Sequence, residues 1–203
     1  MKEKMIANIQ KELPENYELM YHIDAKNKKV GVVMNLVALA IMLAVTVAAG
    51  VSLVIRDLAS DTFLSVSPQM WLIWLAAMAL YIVLHELLHG IAYKLLTKEK
   101  LTFGLSWSCA FCGVPHIYVS RRVALIALAT PFAVFSVVFS VLTAWLYFVH
   151  PTYYFMSALL LGYHLGGCCG DLYLMILFLF KWKDGRILMR DLGPEQFFYR
   201  PKE

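Results

Sequence analysis

Four long apolar runs, separated by short charged segments, dominate the pattern of this chain. They cover approximately residues 31–55, 70–96, 123–149 and 153–180. Each run reaches the roughly 20 apolar residues that a helix needs to cross the hydrocarbon core of a bilayer. Because lipid offers no partner to backbone N–H and C=O groups, such runs are expected to be helical. The pattern therefore predicts an all-α membrane protein with four transmembrane helices, in a single membrane-embedded domain over residues 1–203.

The polar segments between and around these runs predict only small additional elements. Residues 1–29 are charged and amphipathic, are interrupted by Pro14, and indicate an interfacial segment followed by an extended piece. Between the second and third runs, residues 100–119 mix aromatic and β-branched residues with glycine and proline, which is typical of a short β-hairpin. Residues 181–203 are expected to form a tail.

The basic residues predict the orientation of the chain in the membrane. Six of the 18 Lys and Arg residues precede residue 31, five lie between Lys94 and Arg122, and six follow residue 180. Seventeen are therefore on one side of the predicted helices, and the positive-inside rule makes that side cytoplasmic. We expect a multi-pass protein of the cell membrane with the hairpin and both termini in the cytoplasm. The net charge of +4 is explained by this distribution and does not indicate a nucleic-acid partner.

The second apolar run carries three ionisable side chains within five residues. His85 and His89 are four residues apart and share one helical face, with Glu86 beside them, in the pattern H-E-x-x-H. Ionisable groups at membrane depth are costly unless they have partners, so the three require a common explanation. Two imidazoles that bind a metal ion, with the glutamate as a general base, provide one. The alternative is a polar cluster that hydrogen-bonds neighbouring helices.

A catalytic zinc site usually has three protein ligands, so a third must come from elsewhere. Only Glu86 and Asp171, of the 14 acidic residues, lie inside a predicted span. Asp171 lies nine residues before the end of the fourth run at Phe180, and the motif lies nine residues before the end of the second run at Leu96. Both positions are about 14 Å from the cytoplasmic ends of their helices. We therefore predict Asp171 as the third ligand. Two histidines and an aspartate suit zinc, although other first-row metals are also compatible.

Three further residues are candidates for contacts with a substrate. His164 lies on nearly the same helical face as Asp171 and could contact substrate, serve as an alternate ligand, or pack as a hydrogen-bonded histidine. Pro131 removes a backbone hydrogen bond from the third predicted helix at a depth similar to that of the motif. Thr130 and the carbonyls freed by this proline could line a cavity, or the proline could only shape packing.

The four cysteines are interpreted as packing residues. Cys109 and Cys112 have C-x-x-C spacing but no second ligand pair, and Cys168 and Cys169 fall within a predicted membrane helix. A disulfide framework is not expected in this setting.

At these motifs the sequence resembles a known family. "HELLHG", "RRVALIALATPFAVF" and "GDLYLMILFL", together with "YHIDAKNKK" and "LMRDLGPEQFFYRPK", resemble the putative zincin peptidase family of small bacterial membrane proteins, itself similar to site-2 proteases. The resemblance implies that His85, His89 and Asp171 bind the metal and that Glu86 is catalytic. Site-2 proteases carry their aspartate in a longer motif that contains asparagine and proline, which "GYHLGGCCGDL" replaces here.

The sequence therefore favours an intramembrane zinc metalloprotease that hydrolyses membrane proteins or peptides. Two alternatives remain. A divalent-cation transporter would need polar groups through the whole membrane thickness, and the outer halves of the predicted helices offer few. A non-catalytic scaffold or partner-binding protein could use the metal only to join two helices.

Overall fold

The computed structural model describes residues 9–24, 27–57, 64–105 and 110–202. The first eight residues of the predicted interfacial segment and Cys109 lie outside this described part of the chain. Contacts divide the protein into two compact units. The first consists of Met1–Val32, Val83–Pro131 and Asp171–Glu203, and the second of Val33–Ile82 and Phe132–Gly170.

Helices account for most of the described residues, and their bounds are close to the apolar runs. They are α1 (Lys28–Asp57), α2 (Pro68–Thr97), α3 (Arg121–Val149), α4 (Pro151–Gly167) and α5 (Cys169–Ile176), which continues into a π-helical turn at Leu177–Lys181. Among the described residues, α1, α2 and α3 are long and apolar enough to cross a membrane, and α4 with α5 makes a fourth candidate if the bent pair counts as one span. The fourth apolar run is therefore two helices with a break between them, and not the single helix that was predicted.

The prediction of an all-α fold with a single hairpin was incomplete, because the structure also contains a five-stranded sheet. The strands are β1 (Ile9–Gln10), β2 (Tyr17–Asp24), β3 (Thr102–Leu105), β4 (Ala110–Gly113), β5 (Tyr118–Ser120), β6 (Leu188–Asp191) and β7 (Glu195–Pro201). β3 and β4 form an antiparallel hairpin inside the predicted segment. The other five form an antiparallel sheet in the order β1-β5-β6-β7-β2.

This sheet was missed because its strands are short and come from distant parts of the chain. β2 pairs with β7 along most of its length, so that Tyr17 lies opposite Pro201 and Asp24 opposite Glu195. The predicted tail at 181–203 therefore supplies two strands, and the predicted N-terminal segment supplies two more. The backbone hydrogen bonds of each strand are complete only when its partner strand is present. A local sequence pattern does not reveal that partner.

The first unit is built around one apolar core. The ends of α2, α3 and α5 pack there with the sheet, and the largest fully buried hydrophobic side chains are Tyr93, Phe178, Phe198, Ile117, Leu188 and Met189. Arg121, at the start of α3, donates from Nε and Nη2 to the carbonyl of Phe178 at 2.9 and 2.7 Å. The π-helical turn is thereby attached to the start of α3.

The second unit is a helical assembly with close backbone contacts. A Cβ atom at Gly166 of α4 would lie 2.6 Å from the carbonyl oxygen of Ala38 in α1, and one at Gly162 would lie 3.2 Å from Cβ of Val45. The helices therefore approach closely at these two glycines, but a Cβ at Gly170 would meet nothing within 4 Å. α3 and α4 run antiparallel, since Tyr147 contacts Tyr154 near their connection and Ser136 contacts His164 farther along both helices.

Candidate metal centre

The polar side chains of the H-E-x-x-H motif lie on consecutive turns of α2. His85 and His89 are both buried, with 8% of each exposed, and their ring centroids are 4.9 Å apart. The four-residue spacing on a continuous helix explains why the rings are neighbours. Glu86 is half-buried beside them.

Asp171 reaches the same place from the first turn of α5. Its Oδ2 lies 3.2 Å from Nε2 of His85 and 3.4 Å from Nε2 of His89. Cys168 forms the C-cap of α4, and α5 begins at the next residue, so the aspartate lies just after the break in the fourth apolar run. The structure thus brings together His85 and His89, predicted from the motif, and Asp171, predicted from its depth in the membrane.

The spacing of these atoms fits a single small divalent cation. The three ligand atoms all lie within 4.8 Å of one another. In a tetrahedral zinc site with bonds of about 2.0 to 2.2 Å, neighbouring ligand atoms are separated by about 3.3 Å. The two nitrogen–oxygen distances match that value, and two imidazoles with one carboxylate leave a fourth position open. His85, His89 and Asp171 could therefore hold zinc.

A backbone carbonyl orients one of these imidazoles. Nδ1 of His89 lies 2.9 Å from the carbonyl oxygen of Ala127 in α3. A carbonyl can only accept, so Nδ1 carries the hydrogen and donates it. In the neutral ring this tautomer leaves the lone pair on Nε2, the atom that faces Asp171.

Glu86 contacts the hairpin. Its carboxylate accepts a hydrogen bond from the backbone N–H of Cys112 in β4, and it lies within electrostatic range of His85, His89 and Asp171. The hairpin thus fixes the glutamate next to the three candidate ligands.

A second buried pair of polar groups lies one helical turn beyond His89. The hydroxyl of Tyr93 donates to Oδ2 of Asp191 in β6 at 2.7 Å, and the N–H of Gly193 donates to Oδ1 at 2.9 Å. Burial raises the pKa of Asp191 from 3.8 to about 6, although these two hydrogen bonds oppose the shift. The pair connects α2 directly to the sheet.

The described cysteines, Cys112, Cys168 and Cys169, are thiols. Burial, together with the nearby carboxylates of Asp191 and Glu86, raises the pKa of the Cys112 thiol from 9.0 to about 12, so the thiol stays protonated. Cys168 lies 3.5 Å from Nδ1 of His164, and Cys169 donates to the carbonyl of Met34 at 3.4 Å. These three form no disulfide.

Thr130 and Pro131 are predicted substrate contacts, and that role stays a prediction. The Thr130 hydroxyl donates to the carbonyl of Ile126 in its own helix at 2.7 Å, and Pro131 is fully buried. Pro131 lies four residues after Ala127, whose carbonyl accepts from His89.

His164 belongs to the second unit, where aromatic rings surround it. Its Nδ1 lies 2.9 Å from the hydroxyl of Tyr81 and its Nε2 lies 3.0 Å from the hydroxyl of Ser136. Phe135 and Phe139 contact the same ring. These contacts fit the packing role considered from the sequence, while the substrate and ligand roles stay predictions.

Sequence reasoning missed four contributors to the site: the Ala127 carbonyl, the Cys112 amide, Tyr93 and Asp191. Two of them are backbone groups, which carry no side-chain signal. The proline at 131 was the available indicator of a freed carbonyl in α3. Nothing in the local sequence connects Tyr93 with Asp191, since they are 98 residues apart.

Residues 78–185, more than half of the chain, match the family described as "Putative zincin peptidase". The chain belongs to this family. The matched residues of the zincin peptidase family include His85, Glu86, His89 and Asp171. The resemblance to the putative zincin peptidase family is thereby confirmed over residues 78–185, and the similarity to site-2 proteases stays a prediction. No curated protein and no solved structure matches the chain.

Membership in the zincin peptidase family supports a metallopeptidase-like role, and zincins by their name use zinc. The apolar helices indicate an association with membranes.

Proposed function

We propose that this protein is an intramembrane zinc metalloprotease that hydrolyses peptide bonds of membrane proteins or membrane-associated peptides. The observation that carries the proposal is the convergence of His85, His89 and Asp171 on one point, with Glu86 beside them. The side chains come from two apolar segments, a setting in which partnered ionisable groups are functional by default.

His85, His89 and Asp171 would hold the zinc ion. When bound, zinc supplies a Lewis acid that polarises a scissile carbonyl and lowers the pKa of a coordinated water. The Nδ1–H of His89, which donates to Ala127, keeps Nε2 directed toward the site.

Glu86 is the proposed general base and acid. Its carboxylate accepts a proton from the attacking water and delivers that proton to the amine nitrogen that leaves. The Cys112 amide holds one side of this carboxylate, which limits its movement and keeps it near the histidines. Burial of the site restricts competing solvent.

The hairpin offers a place for an extended substrate. β3 pairs with one edge of β4, and the Cys112 N–H on the other edge points to Glu86. A substrate that is unwound into a strand can add by backbone hydrogen bonds to that edge of β4 near Ala110, before Cys112, whose own N–H is held by Glu86. Alternate residues of a strand point their N–H groups to the same edge, so Ala110→Pro would remove a donor there. We expect a higher KM with unchanged zinc content, and an unchanged KM would rule out strand addition.

Glu86→Gln tests the proposed enzymatic role. Zinc content and cleavage of a fluorescently labelled, unstructured polypeptide such as casein would be measured on purified protein in detergent. We expect at least a ~100-fold loss of cleavage, typical of removing a general base, while zinc is retained. Glu99→Gln, which changes an acidic residue just after α2, is the matched control and should cleave normally.

The same variant separates the alternatives. A metal-stabilised scaffold or a cation transporter needs the ligands but not a general base at position 86. Zinc binding without cleavage by the wild type, or cleavage at the wild-type rate by Glu86→Gln, would contradict the proposal.

A further inference from the structure

Pro131 interrupts the backbone hydrogen bonding of α3 at one defined carbonyl. In an α-helix each N–H donates to the carbonyl four residues earlier, and the proline at 131 has no N–H. The carbonyl left without its helical donor is that of Ala127. The neighbouring carbonyl, that of Ile126, is occupied within the helix by the Thr130 hydroxyl at 2.7 Å.

The donor that reaches the freed carbonyl is a candidate metal ligand. Nδ1 of His89 lies 2.9 Å from the Ala127 oxygen, and Ala127 itself is fully buried. A buried carbonyl without a partner is unfavourable, and so is a buried imidazole N–H without an acceptor. Each group satisfies the other, and the ring orientation that results directs Nε2 toward Asp171.

We propose that Pro131 is a positioning residue for the metal site: it keeps the Ala127 carbonyl available so that His89 is held in the tautomer and orientation required of a ligand. The inference rests on the proposed metal site. This role for Pro131 requires no contact with substrate. Pro131 is completely buried, and its burial would prevent such a contact. An alanine at 131 would restore an amide N–H that competes with His89 for the same oxygen.

A proline in a helix also bends it, so the experiment must separate the bend from the freed carbonyl. Pro131→Ala removes the ring and restores the N–H. Replacement of Pro131 by lactic acid, introduced by nonsense suppression, removes the ring but places an ester at 131 that has no N–H. The two variants differ in the group at 131 that faces the Ala127 carbonyl, an N–H in one and an ester oxygen in the other. Pro68→Ala, at the first position of α2, controls for the loss of a proline where no helical carbonyl is freed.

Zinc affinity would be measured by competition with a chromophoric chelator in detergent. We expect Pro131→Ala to bind zinc at least ~10-fold more weakly, as is typical when a group that orients a ligand is lost. The zinc affinities of the lactic acid variant and of Pro68→Ala should stay within about threefold of the wild-type affinity. This change is much smaller than the loss expected for Pro131→Ala. Equal losses of zinc affinity in both variants at position 131 would assign the effect to the bend of the helix. Unchanged zinc affinity in Pro131→Ala would show that the Ala127 carbonyl is not needed. Either result overturns the inference.

A second readout needs no metal. With ¹⁵N-labelled histidine and no zinc, the Nδ1–H resonance of His89 should show a strong hydrogen bond in the wild type and in the lactic acid variant, and should lose it in Pro131→Ala. If Pro131→Ala does not fold, the lactic acid variant decides alone: wild-type affinity and resonance support the inference, and their loss overturns it. Failure of the wild type to bind zinc would instead contradict the proposed function.

Discussion

Tyr93 of α2 donates its phenolic hydrogen to the carboxylate of Asp191 in β6 across 2.7 Å, and both side chains are buried. Tyr93 lies one helical turn after His89, so this bond fixes the helix that carries the H-E-x-x-H motif against the sheet. The sheet was not predicted from the sequence, yet it supports the helix that carries the predicted motif residues.

Tyr93→Phe is expected to destabilise the protein. The phenyl ring fills nearly the same space, but a buried carboxylate loses its hydroxyl donor, which costs about 1–3 kcal/mol. A lower apparent melting temperature in detergent would show this. Tyr153→Phe, on a side chain that is 49% exposed, is the matched control and should melt like the wild type. Equal melting temperatures of Tyr93→Phe and the wild type would contradict the stabilising role of the bond.

Asp191 also predicts a pH dependence of stability. Its pKa rises from 3.8 to about 6 because burial disfavours the charged form. Between these two values the folded protein holds a proton that the unfolded chain has released, so the contribution of Asp191 to stability is lost as the pH rises from about 4 to about 6. Asp191→Asn removes this titration. The melting temperatures of the wild type and of the variant would be measured across pH 4–7. The wild-type value minus the variant value should fall as the pH rises. A difference that does not change with pH would be inconsistent with the raised pKa.

Asp171→Ala is expected to abolish stoichiometric zinc binding. It removes one of three converging ligand atoms, and we expect the affinity to fall by more than about 100-fold, beyond the loss typical of groups that only orient ligands. Metal analysis after dialysis against a weak chelator measures this. Asp184→Ala is the control, since that carboxylate is exposed in an ion pair with Arg186. Retention of zinc by Asp171→Ala would exclude the aspartate as a ligand.

Gly166→Ala is expected to destabilise the second unit. The added Cβ would lie 2.6 Å from the carbonyl oxygen of Ala38, which is backbone and cannot move without shifting α1. Overpacking of this kind costs about 1–3 kcal/mol, more than the gain of up to about 1 kcal/mol from replacing a helical glycine.

Gly170→Ala is the matched substitution, because a Cβ there would meet nothing within 4 Å. It should leave the apparent melting temperature unchanged or raise it. Similar melting temperatures for the two variants would contradict the close contact at Gly166.

The helices and the convergence of His85, His89 and Asp171 could be predicted because their signals are local or follow from helix geometry. Apolar length indicates the spans, and four-residue spacing indicates that His85 and His89 share a face. Asp171 could be predicted because a constant rise per residue converts sequence position into depth. The break at Cys168 was missed because the apolar run continues through it, although its cluster of glycines and cysteines was an available signal.

The sheet and the supporting groups could not be predicted because they depend on partners far along the chain. β2 and β7 are separated by all of the helices, and their pairing is decided by tertiary structure. The hydrogen bonds to the Cys112 amide and the Ala127 carbonyl involve backbone groups, which every residue carries. Only the proline at 131 marks one such group in the sequence.

The strand order β1-β5-β6-β7-β2 also determines when the fold can be completed during biosynthesis. β6 and β7 are translated after every helix, so a nascent chain that already contains α1 to α5 still has no partner for β2 and no Asp191 for Tyr93. The motif-bearing end of α2 reaches its final packing only after these strands emerge from the ribosome. The proposed protease is therefore built without its supporting sheet while the helices are being made, which delays its maturation until translation has passed β7.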